Sequence, residues 1–160
     1  MRILVLSDTH GDTDAILQAI DRARPDAVIH LGDCIGDMRY AMLDRPDIPY
    51  QAVAGNCDYY ENDPYELTLE LGGLRIFALH GHTRNVKDGD AALLAAARAR
   101  EAAVVLYGHT HCAREETVDG ILLLNPGSAR RRPGIERANS CAVLCTGGTA
   151  PTVEWIRPEK

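Results

Sequence analysis

Five short motifs follow one another along the chain, and each carries side chains that can hold a metal or move a proton. They read Ser7-Asp8-Thr9-His10, Leu31-Gly32-Asp33-Cys34, Gly55-Asn56-Cys57-Asp58, His80-Gly81-His82 and Gly108-His109-Thr110-His111. Five of the six histidines fall within them. Together they supply two separated carboxylates, one carboxamide and several imidazoles, each after an apolar run. Hard oxygen donors mixed with imidazole nitrogens suit a divalent transition metal, and this many donors suits two. Two adjacent metals suit in-line displacement at a phosphate ester.

Asp8 and His10 lie one residue apart on a loop, so both can face one ion. His109 and His111 repeat that spacing and direct two imidazoles to neighbouring positions. Gly32, Gly55 and Gly108 permit tight turns close to the ions. Taken singly, each donor has a plainer explanation. An Asp after a strand is often a turn or helix-start residue, and a lone His is more often packed in a core. His30, inside a strand, reads as structural. His82 is explained equally well by contact with a phosphate and by a polar loop position. Seven donors in this order make coincidence a poor account.

The succession D-x-H, G-D, G-N-x-D, H-G-H and G-H-T-H resembles the calcineurin-like metallophosphoesterase superfamily. The short length and the Cys of G-N-C-D are similar to small prokaryotic phosphodiesterases of the YfcE type. The motifs run from Ser7 to Ser128, and the apolar runs beyond them fit the same fold. The resemblance implies that Asp8, His10 and His111 hold one metal, that Asn56, His80 and His109 hold the other, and that Asp33 bridges them at about 3.5–4 Å. It implies hydrolysis of a small phosphate diester by attack of a metal-bound hydroxide, with no covalent intermediate. Manganese best suits the Asp, Asn and His donors; iron, nickel, cobalt and zinc fit them as well. A phosphomonoesterase is the nearest alternative activity. A scaffold is the alternative of another class, since the retromer subunit of this fold binds partner proteins with little or no catalytic role. Retention of all seven donors favours an enzyme.

Asn56, Cys57, Asp58 and His82 form the candidate catalytic set. Many members of the superfamily carry His at the position of Cys57, where it is thought to protonate the leaving group. A thiol with a pKa near ~8.5 is a poorer proton donor at neutral pH than an imidazole. The site is therefore expected to work best on esters with stable leaving groups. Asn125-Pro126-Gly127-Ser128 matches a further motif of the superfamily, in which Asn125 orients a ligand or substrate; a turn explains it equally well. Arg130, Arg131 and Arg132 follow. A solvated basic loop is the plainer reading, and substrate contact by Arg130 and Arg132 is the second.

Seventeen basic against twenty-three acidic residues give a net charge of -6. That argues against a stable nucleic-acid partner, whose domain usually carries basic excess. The N-terminal apolar run is too short for a signal peptide, and no apolar stretch approaches the ~20 residues of a membrane helix. A soluble, cytoplasmic protein is expected, and a homo-oligomer is compatible with the sequence. The cysteines, Cys34, Cys57, Cys112, Cys141 and Cys145, are odd in number and contain no C-x-x-C, so neither a disulfide framework nor a structural zinc site is indicated. Cys34, Cys57 and Cys112 each follow a proposed ligand. Small packable residues beside a buried site is the first reading, and a redox-sensitive site the second.

The elements that must position these residues alternate. Residues 2–6, 27–31 and 50–54 read as buried parallel strands. Asp12 caps a helix whose inner face carries Ile16, Leu17 and Ile20 and which Pro25 ends. Residues 36–43 read as a short helix. Residues 65–71 and 74–79 form a hairpin about Gly72-Gly73. Asp90 caps an Ala-rich helix through Arg100. Strands over 104–107, 113–118, 121–124, 139–146 and 152–156 complete a second sheet. One domain over residues 1–160 is expected, an α/β fold built as a four-layer α-β-β-α sandwich of two mixed sheets flanked by helices. Ligands in such folds bind beyond the carboxyl ends of the strands.

Overall fold

Ile3, Leu4, Val5 and Leu6 are all fully buried, as a strand covered on both faces requires. They belong to β1 (Arg2–Leu6), the central strand of a five-stranded sheet in the computed structural model, which describes residues 1–59, 62–130 and 139–157. β1 leads into α1 (Thr13–Ala23), β2 (Ala27–His30), α2 (Ile35–Met42) and β3 (Tyr50–Ala52), with β1, β2 and β3 parallel. Asp12 caps α1 by accepting the Ala15 N–H at 3.1 Å. The helix closes on Arg24 in the left-handed region, directly before Pro25.

The second sheet contains β4 (Glu66–Leu71), β5 (Leu74–Leu79), β6 (Val104–Tyr107), β7 (Arg114–Val118) and β8 (Ile121–Asn125) in the order β4-β5-β6-β8-β7. α3 (Ala91–Ala99) joins β5 to β6. Asp90 precedes α3 but does not cap it through its side chain. Its carboxylate instead grips Arg114 at 2.6 and 2.7 Å, a charge-assisted pair stronger than a neutral cap.

β9 (Cys141–Cys145) and β10 (Thr152–Ile156) depart from the sequence expectation. They join the first sheet, giving the order β10-β9-β1-β2-β3. β9 lies antiparallel to β1, pairing Leu4 with Val143. The reason is burial: Cys141, Ala142, Val143 and Leu144 are all 0% exposed. β9 therefore needs cover on both faces and a strand on each side, and β1 offers the open flank.

Three apolar layers hold the sandwich together. Val5, Ile29, Leu106, Leu124 and Leu144 meet between the sheets. Leu4, Leu6, Ile16, Ile20 and Val143 pack under α1 and α2. Phe77, Leu79, Leu93 and Val105 pack under α3. This is the four-layer α-β-β-α arrangement, with two mixed sheets. Among the described residues no helix is long and apolar enough to cross a membrane.

Candidate metal centre

The seven proposed ligands come from separate loops at the carboxyl ends of β1, β2, β3, β5 and β6. Five of them bend sharply there: Asp8, His10, Asp33, His109 and His111 have φ between 46° and 66°. Asp and His tolerate this left-handed region better than most residues, and such strain collects at functional sites. Gly55 allows a close approach, because a Cβ on it would lie 2.3 Å from Asp33 Oδ1.

Asp8, His10, Asp33 and His111 form one cluster, in which one donor atom from each lies within 4.8 Å of all the others. Asp8 Oδ1 is 2.9 Å from His111 Nε2, His111 Nε2 is 3.5 Å from His10 Nε2, and His10 Nε2 is 3.9 Å from Asp33 Oδ2. Two donors on one ion at about 2.1 Å are separated by roughly 3.0–3.4 Å in octahedral or tetrahedral geometry. The spacings are close to that range. Asp8 Oδ1 is buried, and its close polar neighbour is the ring nitrogen of His111, itself a candidate ligand. A buried carboxylate oxygen and imidazole nitrogens converging at this spacing fit a divalent metal.

The second set gathers around His80. Its ring is fully buried, and Nδ1 lies 2.7 Å from the Leu31 carbonyl oxygen. That carbonyl can only accept, so Nδ1 carries a hydrogen and Nε2 is the nitrogen turned toward the other donors. Nε2 faces Asn56 Oδ1 at 3.2 Å and Asp33 Oδ1 at 3.5 Å. Nε2, Asn56 Oδ1 and Asp33 Oδ1 are close enough together to share one cation. The His109 ring stands 5.1 Å from that of His80. Asp33 thus turns Oδ2 toward His10 and Oδ1 toward His80.

Electrostatics keep the donors in their ligating forms. Burial disfavours the Asp8 charge, but the His111 hydrogen bond, the neighbouring His80 and the Ser7 hydroxyl outweigh it and lower its pKa. His109 is pushed down by burial first, and then by His80 and Lys87. His82 is pushed down by burial and His80.

Several residues hold the ligands in place. Ser7 Oγ and the His109 N–H donate to Asp8 Oδ2 at 2.5 and 3.1 Å, and Ser128 Oγ donates to the Asp8 carbonyl at 2.8 Å. Asp37 Oδ2 accepts from Thr9 Oγ1 at 2.7 Å and from the Gly11 N–H at 2.8 Å. The sequence reading missed these roles. Ser7 and Ser128 lay at motif edges and gave a signal; Asp37, inside the first turn of α2, gave none.

The remaining candidates separate. Asn125 is fully buried; its amide donates to the Gly108 carbonyl and Thr110 Oγ1, while its oxygen accepts the Gly127 N–H. It therefore anchors the loop that carries His109 and His111. Asp58 accepts three backbone N–H groups, from Asp33, Ile35 and Gly55. His82 is brought to the site, with its ring 5.4 Å from His80 and its Nδ1 buried without a hydrogen-bond partner among the described residues. Cys57 is exposed, and burial of its sulfur together with the Asp33 charge pushes its thiol up to about 11. Cys34 is also pushed up, by burial and Asp37, so both favour the thiol over the thiolate. Arg130 lines a cavity of about 420 Å³ together with His10. Arg131 and Arg132 lie outside the described residues. His30 is fully buried and belongs to neither donor set; its Nδ1 accepts the Gly32 N–H at 3.2 Å.

Comparison with known proteins places this arrangement. The model of the calcineurin-like phosphoesterase superfamily domain matches residues 1–148. The chain is 34% identical to the Bacillus subtilis protein named "Probable metallophosphoesterase YsnB", over 97% of this chain and 90% of that one. It is 30% identical to phosphodiesterase MJ0936 of Methanocaldococcus jannaschii, over 79% and 83% of the two chains. Among solved structures, a conserved Streptococcus pneumoniae TIGR4 protein described as a predicted phosphoesterase superposes with a TM-score of 0.79 at 34% identity, covering 98% of this chain and 89% of that one.

Proposed function

The chain belongs to the calcineurin-like phosphoesterase superfamily, and from that premise we propose that it is a phosphodiesterase using two divalent ions, with manganese the first choice. The observation that carries this reading is the convergence of Asp8, His10, Asp33 and His111 on one point, with one donor atom of each within 4.8 Å of all the others. Asp8, His10 and His111 would hold one ion, Asn56, His80 and His109 the other, and Asp33 both. When bound, such ions neutralise phosphate charge and make a strong nucleophile available from water near neutral pH.

The chain's own residues do the positioning. Asp8 stays ionised because its hydrogen bonds outweigh the cost of its burial. The Leu31 carbonyl fixes the His80 tautomer, so Nε2 is the ligating atom. His82 and Arg130 stand beside the two donor sets, where an N–H from each can meet non-bridging phosphate oxygens. Cys57 follows the ligand Asn56, but a thiol held near 11 gives up its proton reluctantly, which favours substrates whose leaving group departs as a stable anion. The preference for diesters follows the phosphodiesterase relative. All five cysteines are free, which suits a reducing, cytoplasmic setting.

The test is to purify the protein without chelator, measure its metal content, and assay an aryl phosphodiester beside the aryl monoester. About two ions per chain and faster diester hydrolysis are expected. Full activity in metal-free protein would reject the reading. A faster monoester reaction would make it a phosphomonoesterase, and bound metal with neither reaction would make it a scaffold.

A further inference from the structure

A cavity of about 520 Å³ opens directly beside the metal centre and has no part in holding the ligands. It lies where the edges of the two sheets diverge, between the start of β7 and the end of β10. His111 forms one wall, Ala113, Arg114 and Glu115 another, and Trp155 and Arg157 the third. His111 therefore belongs both to the donor cluster and to this cavity. The volume falls within the roughly 300–1,000 Å³ typical of small-molecule sites.

Trp155 is the unusual member. Val153, two residues earlier on β10, packs between the sheets, and strand alternation turns Trp155 toward the same side. Trp155 is left 40% exposed, and it lines the cavity. Its Nε1 donates to Glu115 Oε2 at 3.3 Å, which fixes the ring across the gap between the sheets. An indole held this way offers a flat apolar face without costing much conformational freedom on binding. The two cations differ. Arg114 is already bound by Asp90 and Glu116. Arg157 has no ion-pair partner among the described residues and faces the same space.

We infer that this cavity is the subsite for a flat aromatic ester group of the substrate, stacked on Trp155 beside Arg157 while the attached phosphate reaches the donor cluster past His111. This rests on the phosphodiesterase reading above. The chemistry common to the group is a planar aromatic ring carrying a phosphate, either a nucleoside or a simple aryl ester.

The chain has one tryptophan, so selectively excited tryptophan emission reports on this cavity alone. Metal-loaded protein is titrated with adenosine monophosphate, phenyl phosphate and inorganic phosphate. Saturable change in Trp155 emission is expected with one or both aromatic phosphates and not with inorganic phosphate; the tighter of the two identifies a nucleoside or a plain aryl group. Arg157→Ala should weaken that binding. For hydrolysis of an aryl diester, Trp155→Ala should raise KM roughly tenfold to a hundredfold, in line with stacking on one aromatic ring. Metal content should stay unchanged, and Trp155→Phe, which keeps a ring, should restore most of the loss. Emission change by aromatic phosphates in a protein without diesterase activity would support the subsite and reject the hydrolase. Diesterase activity with silent emission and an unaltered Trp155→Ala KM would reject the subsite and leave the hydrolase standing.

Discussion

The carboxylates of Asp33 and Asp58 hold each other's loops. Asp58 Oδ2 accepts the Asp33 N–H at 2.8 Å, and Asp33 Oδ1 accepts the N–H of Cys57, the neighbour of Asp58, at 2.9 Å. Asp58 also accepts from Gly55 at 2.8 Å and Ile35 at 2.9 Å. The loop after β2 and the loop after β3 are thereby tied at two points, one on each side of the proposed bridging carboxylate. Asp58, one of the candidate catalytic residues by sequence, acts in this structure by fixing where Asp33 and Asn56 stand.

Asp58→Ala should therefore damage both stability and metal binding. It orphans three N–H groups, each worth about 1–3 kcal/mol if left buried and unpaired, so a loss of roughly 3 kcal/mol or more is expected in urea denaturation. Asp58→Asn keeps one acceptor oxygen and should fall in between. An Asp58→Ala protein with wild-type denaturation midpoint and metal affinity would show that the clamp has no consequence.

Asp33→Asn tests the bridge. The amide preserves shape, but one of the two atoms facing His10 and His80 becomes an N–H₂ group that cannot ligate. With the negative charge shared by both sites also gone, binding of both ions should weaken at once, with clear metal loss, and diesterase activity should fall to near background. Retention of one full equivalent of metal by elemental analysis would show that Asp33 serves one site only.

His30 ends β2 in one sheet and His80 follows β5 in the other, and only His80 faces the other donors. His80→Ala should abolish activity in a folded protein. His30→Gln should act through stability and its pH dependence. Burial pushes the His30 pKa from 6.5 down to about 4, so the unfolded chain takes up this proton first as pH falls. Its contribution is complete above pH 6.5 and is lost progressively as pH drops toward 4, amounting to about 3 kcal/mol. Denaturation of wild type against His30→Gln between pH 4 and 7 should show the variant losing less stability on acidification. Parallel curves would mean that His30 is not a buried neutral imidazole.

The ligand motifs were legible because each is a short string whose chemistry survives without knowledge of its neighbours. The strand pattern of β1, β2, β5 and β6 was legible for a similar reason: continuous apolar runs ending in polar ligands. What was not legible depended on partners distant in sequence. β9 reads as an apolar strand in either sheet, and only the open flank of β1 decides between them. Asp90 looked like a helix cap until Arg114, 24 residues away, claimed its carboxylate. Asn125 looked like a substrate contact because its motif was visible, whereas its three hydrogen-bond partners were not. The cavity beside Trp155 exists only because two sheet edges diverge, which no local pattern records.

Cys57 sets the last prediction. It follows a proposed ligand and stands where the resemblance in sequence implies a proton-donating His, but it is exposed, and its backbone N–H donates to Asp33 Oδ1 at 2.9 Å. A thiol held near 11 is a weak proton donor at neutral pH. The rate should then depend steeply on leaving-group pKa: aryl oxides depart unaided, whereas alkyl and ribose alkoxides need a proton. A positioned general acid contributes roughly a hundredfold to ten-thousandfold, so Cys57→His should raise the rate on poor leaving groups far more than on good ones. Cys57→Ala and Cys57→Ser should leave aryl diester hydrolysis within a few-fold of wild type, because the N–H that holds Asp33 belongs to the backbone and survives the substitution. The measurement is kcat/KM across a leaving-group series, with metal content determined for each variant. If Cys57→Ala keeps its metals and still loses activity as fully as His80→Ala, the thiol itself is essential, and its treatment as a weak replacement for His fails.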